Sequence, residues 1–242
     1  MIQHMGTLVD LLERPTYSHS QVDRLLGLSP GTAQRWIDGY VRAGRQYAPV
    51  IRETTTGVST ATWGEFVEAR LLAEYRDSGV PMLRMRPAIE DLRHSLNTRY
   101  PLASSRLWVE PDGRELVRTV QERVGLEKPL TLVVLRTHQT LLDPEKRLQW
   151  TSGAARFKRS VRWAEADGEM HPIQIHPMAD NDDVVIDPLR GFGEPVVRSV
   201  PTEIIAELIR AGDPPTMIAD LYELPVPLVN AAVRYELSRV PA

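Results

Sequence analysis

Apolar positions between residues 18 and 98 recur at three- and four-residue intervals. Gly or Pro closes the runs at Gly27, Gly39, Gly44, Gly79 and Pro87, the pattern of a series of short helices. Val22 and Leu26 lie four apart and share one face of a first helix. Gly27 can end that helix in the left-handed conformation, and Leu28 fills the corner. Ser29 is expected as the N-cap of a second helix, with Pro30 at its first position. Ala33, Trp36 and Ile37 then turn inward, whereas Gly31, Gln34, Arg35 and Asp38 turn outward with Thr32 at the border. This spacing predicts a helix-turn-helix over 21–38. Asp23 stands where a small residue is common, and is expected to be partly exposed or bonded to Arg24 or a cap. Residues 49–62, rich in Thr and Val around Gly57, break the helical pattern and predict a wing-like hairpin. Further helices are expected over 62–77, with Phe66, Ala69, Leu72 and Ala73 on one face, and over 87–96.

The pattern changes after residue 100. RLWVEPDGREL and RFKRSVRWAEADGEMHPIQI each place strand-like runs on either side of an Asp-Gly pair, a hairpin signal. TLVVLRT adds an apolar strand, so residues 101–180 are expected to be β-rich. The polar, acidic stretch 178–183 reads as a linker. Beyond it, three short helices fit 201–211, 214–221 and 225–238, each with a Pro near its first turn. The expected fold is α+β: a winged helix-turn-helix over 1–100, a β-rich middle over 101–180, and a trihelical, helix-turn-helix-like module over 184–242.

Composition narrows the class. The 242 residues are 42% hydrophobic and 25% charged, with no cysteine, which excludes disulfides, zinc–thiolate sites and thiol catalysis. No apolar run is long enough to span a bilayer, and residues 1–9 lack the pattern of a signal peptide. A cytoplasmic protein without membrane association is expected. The net charge of −3 conceals an asymmetry: residues 1–100 carry 12 Lys/Arg against 11 Asp/Glu, but residues 164–242 carry 5 against 14. A basic surface near the front can hold phosphate, and the acidic rear repels it.

That charge gives the helix-turn-helix its chemistry. Gln34 and Arg35 are of the types that read adenine and guanine edges bidentately in the major groove. Ser29 and Thr32 can bind phosphate. Gly31 would let the helix N-terminus approach the backbone, its free amides favouring an anion. Double-stranded operator DNA is therefore an expected partner, read by a homodimer with paired half-sites.

The helix-turn-helix, the predicted hairpin and the following TWGEFVEARLLAEYRDSGVPMLRMRPAIEDLR resemble the winged DNA-binding domain of MerR-type regulators. This resemblance implies phosphate contacts from Arg42 and Arg45, and from Arg52 with the wing threonines around Thr55. Ile186-Asp187-Pro188, Gly193-x-Pro195-Val196-Val197-Arg198, Pro201, Ala211-Gly212-Asp213, Ile218-Ala219-x-x-Tyr222 and Ala231-Ala232-x-x-Tyr235-Glu236 resemble, in order and spacing, an antitoxin-type domain found beside PIN-domain RNase toxins. The segment from Arg198 to Pro201 is about two residues shorter than in that pattern. Physically, this module is expected to pack Ile204, Ile205, Leu208 and Ile209 against Ile218, Leu221, Tyr222, Leu224, Leu228, Val229 and Val233. The two halves together are similar to the large VapB-type antitoxins. That implies a protein that silences a cognate PIN-domain RNase toxin and represses the operon encoding both. The alternative is a stand-alone regulator whose C-terminal half dimerises or senses a ligand.

Other signals are weaker. His171 and His176 lie near each other, but on a strand they point to opposite faces, and no carboxylate cluster accompanies them. No metal, no cofactor and no catalytic set is expected. Read as a strand, Arg156, Lys158, Ser160 and Arg162 share one face, with Arg159 between them. That face is either a charged guard against edge pairing or a patch for DNA or the acidic centre of a PIN nuclease.

Overall fold

A computed structural model describes residues 11–135, 148–166, 168–178 and 182–239. The chain forms two compact units. Met1–Arg159 with Trp163–Pro172 make the first, and Ser160–Arg162 with Ile173–Ala242 make the second. The architecture is α+β, with a helix-turn-helix region near the N-terminus, a central sheet and C-terminal helices.

The first unit opens with β1 (Pro15–Ser18) and α1 (His19–Leu26). Ser18 closes a capping box with Gln21, so two orphan donors at the helix start are satisfied reciprocally. A second helix, α2 (Thr32–Ile37), follows the turn. A tight hairpin then forms from β2 (Tyr40–Arg42) and β3 (Arg45–Tyr47). The strand β4 (Thr60–Thr62) returns to pair antiparallel with β1 and leads into α3 (Trp63–Ala73), which Thr62 and Glu65 cap in the same reciprocal way. Helix α3 is buried on nearly all sides, as expected for a central helix. Trp63 and Phe66 stack with their ring centroids 5.5 Å apart, and Tyr17 lies 4.4 Å from Phe66. The unit continues through α4 (Arg86–Leu96), α5 (Ser105–Trp108), α6 (Gly113–Arg123), the paired strands β5 (Val133–Leu135) and β6 (Leu148–Trp150), and α7 (Ser152–Ser160).

The sheet runs in the order β7 (Val161–Ala166), β8 (Glu169–Ile175), β9 (Val184–Ile186), β10 (Pro195–Val197), β11 (Val200–Pro201); of these residues, 163–172 count with the first unit. In the second unit α8 (Thr202–Ala211), α9 (Pro215–Leu221) and α10 (Val226–Ser238) follow, with Pro201, Pro214 and Pro225 at their N-caps. Val184, Val197, Ile205, Ile218, Val229, Ala232 and Tyr235 form the core. Of the expected core residues, Ile205 and Ile218 are buried, whereas Ile204 and Leu221 are exposed.

Four expectations are corrected. The wing is the hairpin over 40–47, not 49–62: Ala43 and Gly44 both have positive φ, the geometry of a two-residue hairpin turn. Only Thr60–Thr62 of the expected region is a strand. RLWVEPDGREL is not a hairpin but the turn between α5 and α6. A Cβ on Gly113 would lie 2.2 Å from the Leu107 carbonyl oxygen, so this glycine serves close packing rather than a reversal. Gly168, with φ +80 and open space around it, stands instead between the neighbouring strands β7 and β8. The basic run is helical up to Ser160, so Arg156, Lys158 and Arg162 do not share a strand face. Last, the stretch 178–183 connects two strands, β8 and β9, that pair at Ile175 and Ile186; residues 179–181 of it lie outside the described residues.

Candidate nucleic-acid interface

The turn between α1 and α2 is built by one carboxylate. Gly27 ends α1 at φ +61, and the Leu28 amide donates to the Asp23 carbonyl. Asp23 is buried, and its side chain accepts from the Gly31 amide at 2.6 Å and the Ala33 amide at 2.7 Å. It therefore caps α2 from the preceding helix, the third of the roles that its position allowed. The expected caps fall away. Ser29 and Pro30 lie in the turn, helix α2 begins at Thr32, and Gly31 at φ +77 is its N-cap. Because Asp23 occupies two amides at this end, the expected anion site on the helix N-terminus is not available, and Gly31 serves the turn.

Helix α2 buries Ala33, Trp36 and Ile37 and exposes Gln34 and Arg35. The Arg35 Nη2 donates to Thr32 Oγ1 at 2.7 Å, so the guanidinium stays on the exposed side of the helix. Ser29 is exposed, and Thr32 is half-buried.

The far end of α2 is held by a buried ion network. Asp38, expected on the open face, is buried. It accepts from Arg52 Nη1 at 2.8 Å, from the Thr56 amide and hydroxyl at 2.7 Å each, and from the Gly57 amide at 2.9 Å. Burial alone would raise its pKa, but these hydrogen bonds outweigh it and hold the carboxyl below its ordinary range. Arg52 is 9% exposed. It also binds Glu65 bidentately, at 2.7 and 3.0 Å, and donates to the Val58 and Thr60 carbonyls. Its expected phosphate contact is therefore corrected: a guanidinium saturated by two carboxylates and two carbonyls braces the loop from inside. The Val50 and Ile51 amides, donating to the Trp36 carbonyl at 2.8 and 2.9 Å, tie the same loop to α2.

The wing hairpin rises directly from this brace. Tyr40 and Tyr47 stack across it with centroids 4.7 Å apart. Arg42 and Arg45 are paired across the strands at its exposed tip, and Arg45 lies over the Tyr47 ring at 5.4 Å. Gln46 Nε2 is 3.5 Å from the Oγ1 of exposed Thr55. The structure thus brings Gln34, Arg35 and Thr32 onto one short helix and Arg42 and Arg45 onto the adjoining hairpin, with Thr55 beside it. Sequence reasoning missed Gln46, and it left the capping role of Asp23 as one of three alternatives. Tyr-Val-Arg-Ala-Gly-Arg-Gln-Tyr carries the hairpin signal, but its Ala-Gly turn is a weaker one than the Thr-rich stretch around Gly57 offers.

The second expected patch does not assemble as such. Arg156 donates to Glu74 at 2.7 Å, and Arg159 is exposed. Lys158 is half-buried, and burial, with Arg114 adding repulsion, lowers its pKa. Arg162 lies on β7 within the second unit. Among the described residues, no group of three or more His, Cys, Asp or Glu side chains is placed to hold a metal. No described helix is long and apolar enough to cross a membrane.

Residues 15–89 match the family model described as "Putative DNA-binding HTH domain". The chain is 37% identical over 245 residues to "Uncharacterized protein Rv2308" of Mycobacterium tuberculosis, covering 98% of both chains. It is 29% identical to "Putative antitoxin VapB45" of the same organism over 86% of this chain and 88% of that one. The crystal structure of Rv2018 from Mycobacterium tuberculosis superposes with a TM-score of 0.68, over 90% of this chain and 97% of that one, at 26% identity. Gln34 and Arg35 of α2 and Arg42 and Arg45 of the hairpin all fall inside the family-model match.

Proposed function

The chain belongs to the family of the Mycobacterium tuberculosis protein Rv2308, and within that family we propose that it binds double-stranded operator DNA as a homodimer and represses its own operon. The observation that carries this reading is the exposed pair Gln34 and Arg35 beside the Arg42–Arg45 tip. Base-reading donors sit on a rigid helix, and phosphate-binding cations sit on the wing next to it. Thr32, Ser29 and Thr55 complete the set as phosphate or edge contacts, while Gly31 and Arg52 act by shaping the turn and the loop.

We propose further that the protein is the antitoxin of a toxin–antitoxin pair, acting in the cytoplasm and neutralising a PIN-domain RNase. The likeness to the relative named as an antitoxin supports this, as does the C-terminal motif order. So does the surface of α9, where Met217 and Leu221, one turn apart, are exposed, as are the acidic Asp220 beside Leu221 and Glu223 just beyond the helix. An apolar strip with carboxylates beside it suits a protein partner rather than DNA. The patch Arg156, Lys158, Arg159 and Arg162 is at most an auxiliary contact, since its members do not share one face. No cofactor is needed for either activity.

Fluorescence anisotropy with DNA from upstream of its own gene tests the first part. Arg42→Ala and Arg45→Ala should each weaken binding to all sequences and shallow the salt dependence by about 0.9 in log–log slope. Unchanged affinity and slope in both variants would remove the wing from the interface.

A further inference from the structure

Between the loop 51–56, the C-terminal end of α4 and the turn 97–100 lies a cleft of about 560 Å³. Such a volume is typical of small-molecule sites, roughly 300–1,000 Å³. Its lining includes the braced Arg52 and Glu65, together with Glu68, Arg93, Arg99 and Tyr100. Arg52 and Glu65 satisfy one another: both Glu65 oxygens accept from Arg52. The remaining groups are closed only in part. Arg93 is buried, uses Nε on the Arg99 carbonyl and Nη2 on the Ile51 carbonyl, and lies 3.6 Å through Nε from a carboxylate oxygen of Glu53, another lining residue; none of these contacts involves Nη1. Arg99 is half exposed, pairing through Nη1 with Glu13 and lying 3.8 Å from Glu65 through Nη2.

Glu68 is the informative residue. It is fully buried on α3, its Oε1 accepts from the Leu102 amide at 2.8 Å, and its Oε2 has no hydrogen-bond partner. A buried polar atom without a partner is uncommon and calls for an account. Burial pushes this carboxyl up to about 8, so at neutral pH it holds a proton on the oxygen that Leu102 leaves open. Apart from Glu53, whose side chain is largely exposed to solvent, the charged groups with capacity left around the cleft are donors: an arginine Nη1, a second guanidinium and a carboxylic O–H. An acceptor bearing negative charge complements them.

We infer that this cleft is an effector site for a small organic carboxylate, held by Arg93, Arg99 and Glu68, and that its occupant acts on α2 through Arg52 and Asp38. The second half of this inference rests on the reading of α2 as the DNA-reading helix. The route is short. The loop that walls the cleft also holds the C-terminal end of α2, through Ile51 to the Trp36 carbonyl and through Arg52 and Thr56 to Asp38. The wing begins two residues later at Tyr40. A ligand that favours one setting of this loop must shift DNA affinity, and DNA must shift the ligand's affinity by the same factor.

The test uses the full-length protein and four probes at millimolar concentration: acetate, succinate, citrate and benzoate. Binding is read by ligand-observed NMR without DNA. At least one probe should bind saturably; Arg93→Met, surface-accessible Arg99→Met and Glu68→Leu should each weaken it about tenfold or more. Glu68→Gln, which keeps a donor at that oxygen, should retain it. If none of the four binds, or if the arginine variants bind as well as the parent, the site is overturned. With operator DNA added, the bound probe should change the DNA Kd by about fivefold or more, with the reciprocal change in probe Kd. Saturable probe binding with an unchanged DNA Kd overturns the coupling. A protein that takes the probe but no DNA at all overturns the proposed function instead.

Discussion

Asp23 does at residue scale what two residues were expected to do from sequence. Ser29 and Pro30 have the right chemistry for a cap and a first turn, but a carboxylate eight residues upstream of Gly31 takes the amides first. An acidic residue inside the first helix is thus the signal that reveals the turn, because a buried carboxylate at that place must find donors. Asp23→Ala leaves two amide donors without their acceptor and should cost about 1–2 kcal/mol. Thermal unfolding checks it, with Asp23→Asn losing less; equal melting temperatures for all three proteins would show that the cap is idle. Glu68 gives a prediction of opposite type. Its folded pKa of about 8 lies above its ordinary 4.5, so the folded state holds the proton more tightly than the unfolded chain. Its contribution to stability is full below pH 4.5 and is lost progressively as the pH rises towards 8. Between pH 5 and 8 the parent should therefore lose melting temperature relative to Glu68→Gln, which cannot titrate. Parallel profiles for the two proteins would contradict the assignment.

Among the elements, those marked by caps were legible and those marked by context were not. Ser18 and Gln21, Thr62 and Glu65, and the three C-terminal prolines fix helix starts within a residue or two of their expected places. Local hydrogen bonding decides such sites. The two Asp-Gly pairs show the opposite case. Gly168, with positive φ, stands between the neighbouring strands β7 and β8, whereas Gly113 lies at the start of a helix pressed against the Leu107 carbonyl. The dipeptide is the same, and only packing separates them: Leu107 and Trp108 are buried as one helical turn, not as alternating strand positions. Gly113→Ala must push α5 and α6 apart and should cost about 1–3 kcal/mol. A chemical denaturation midpoint indistinguishable from the parent would mean that the approach is not tight. The same reasoning explains the wing. Thr and Val content suggested strands over 49–62, yet a buried Arg52 between Asp38 and Glu65 winds that stretch into a loop, a long-range pairing that no local pattern displays.

For the whole molecule, the division of charge along the chain was visible in composition, but the division into units was not. The acidic stretch near residue 180 reads as a boundary, although β8 and β9 pair across it. Truncation there would strip a sheet, so the separation of DNA binding from partner binding is better tested by point changes on exposed positions. Arg35→Ala with Arg45→Ala should abolish operator binding yet leave a tight complex with the cognate toxin and full protection of cells on coexpression. Met217→Asp with Leu221→Asp should do the reverse, keeping DNA affinity and losing most of the protection. Loss of both activities in either double variant would show that the two functions are not carried by separate surfaces.

If α2 reads base edges, Arg35 is the side chain whose loss shows it. Arg35 is exposed, and its guanidinium bonds Thr32 on the same helix turn, so truncating its side chain leaves the fold intact. Anisotropy titrations at one fixed salt concentration would compare the parent and Arg35→Ala on the native promoter and on a scrambled duplex of equal length. A base-reading Arg35 predicts a loss of about 1–3 kcal/mol on the promoter, roughly five- to 150-fold in Kd, with little change on the scrambled duplex. Equal affinity of parent and variant for the promoter, or an equal loss on both duplexes, would contradict it.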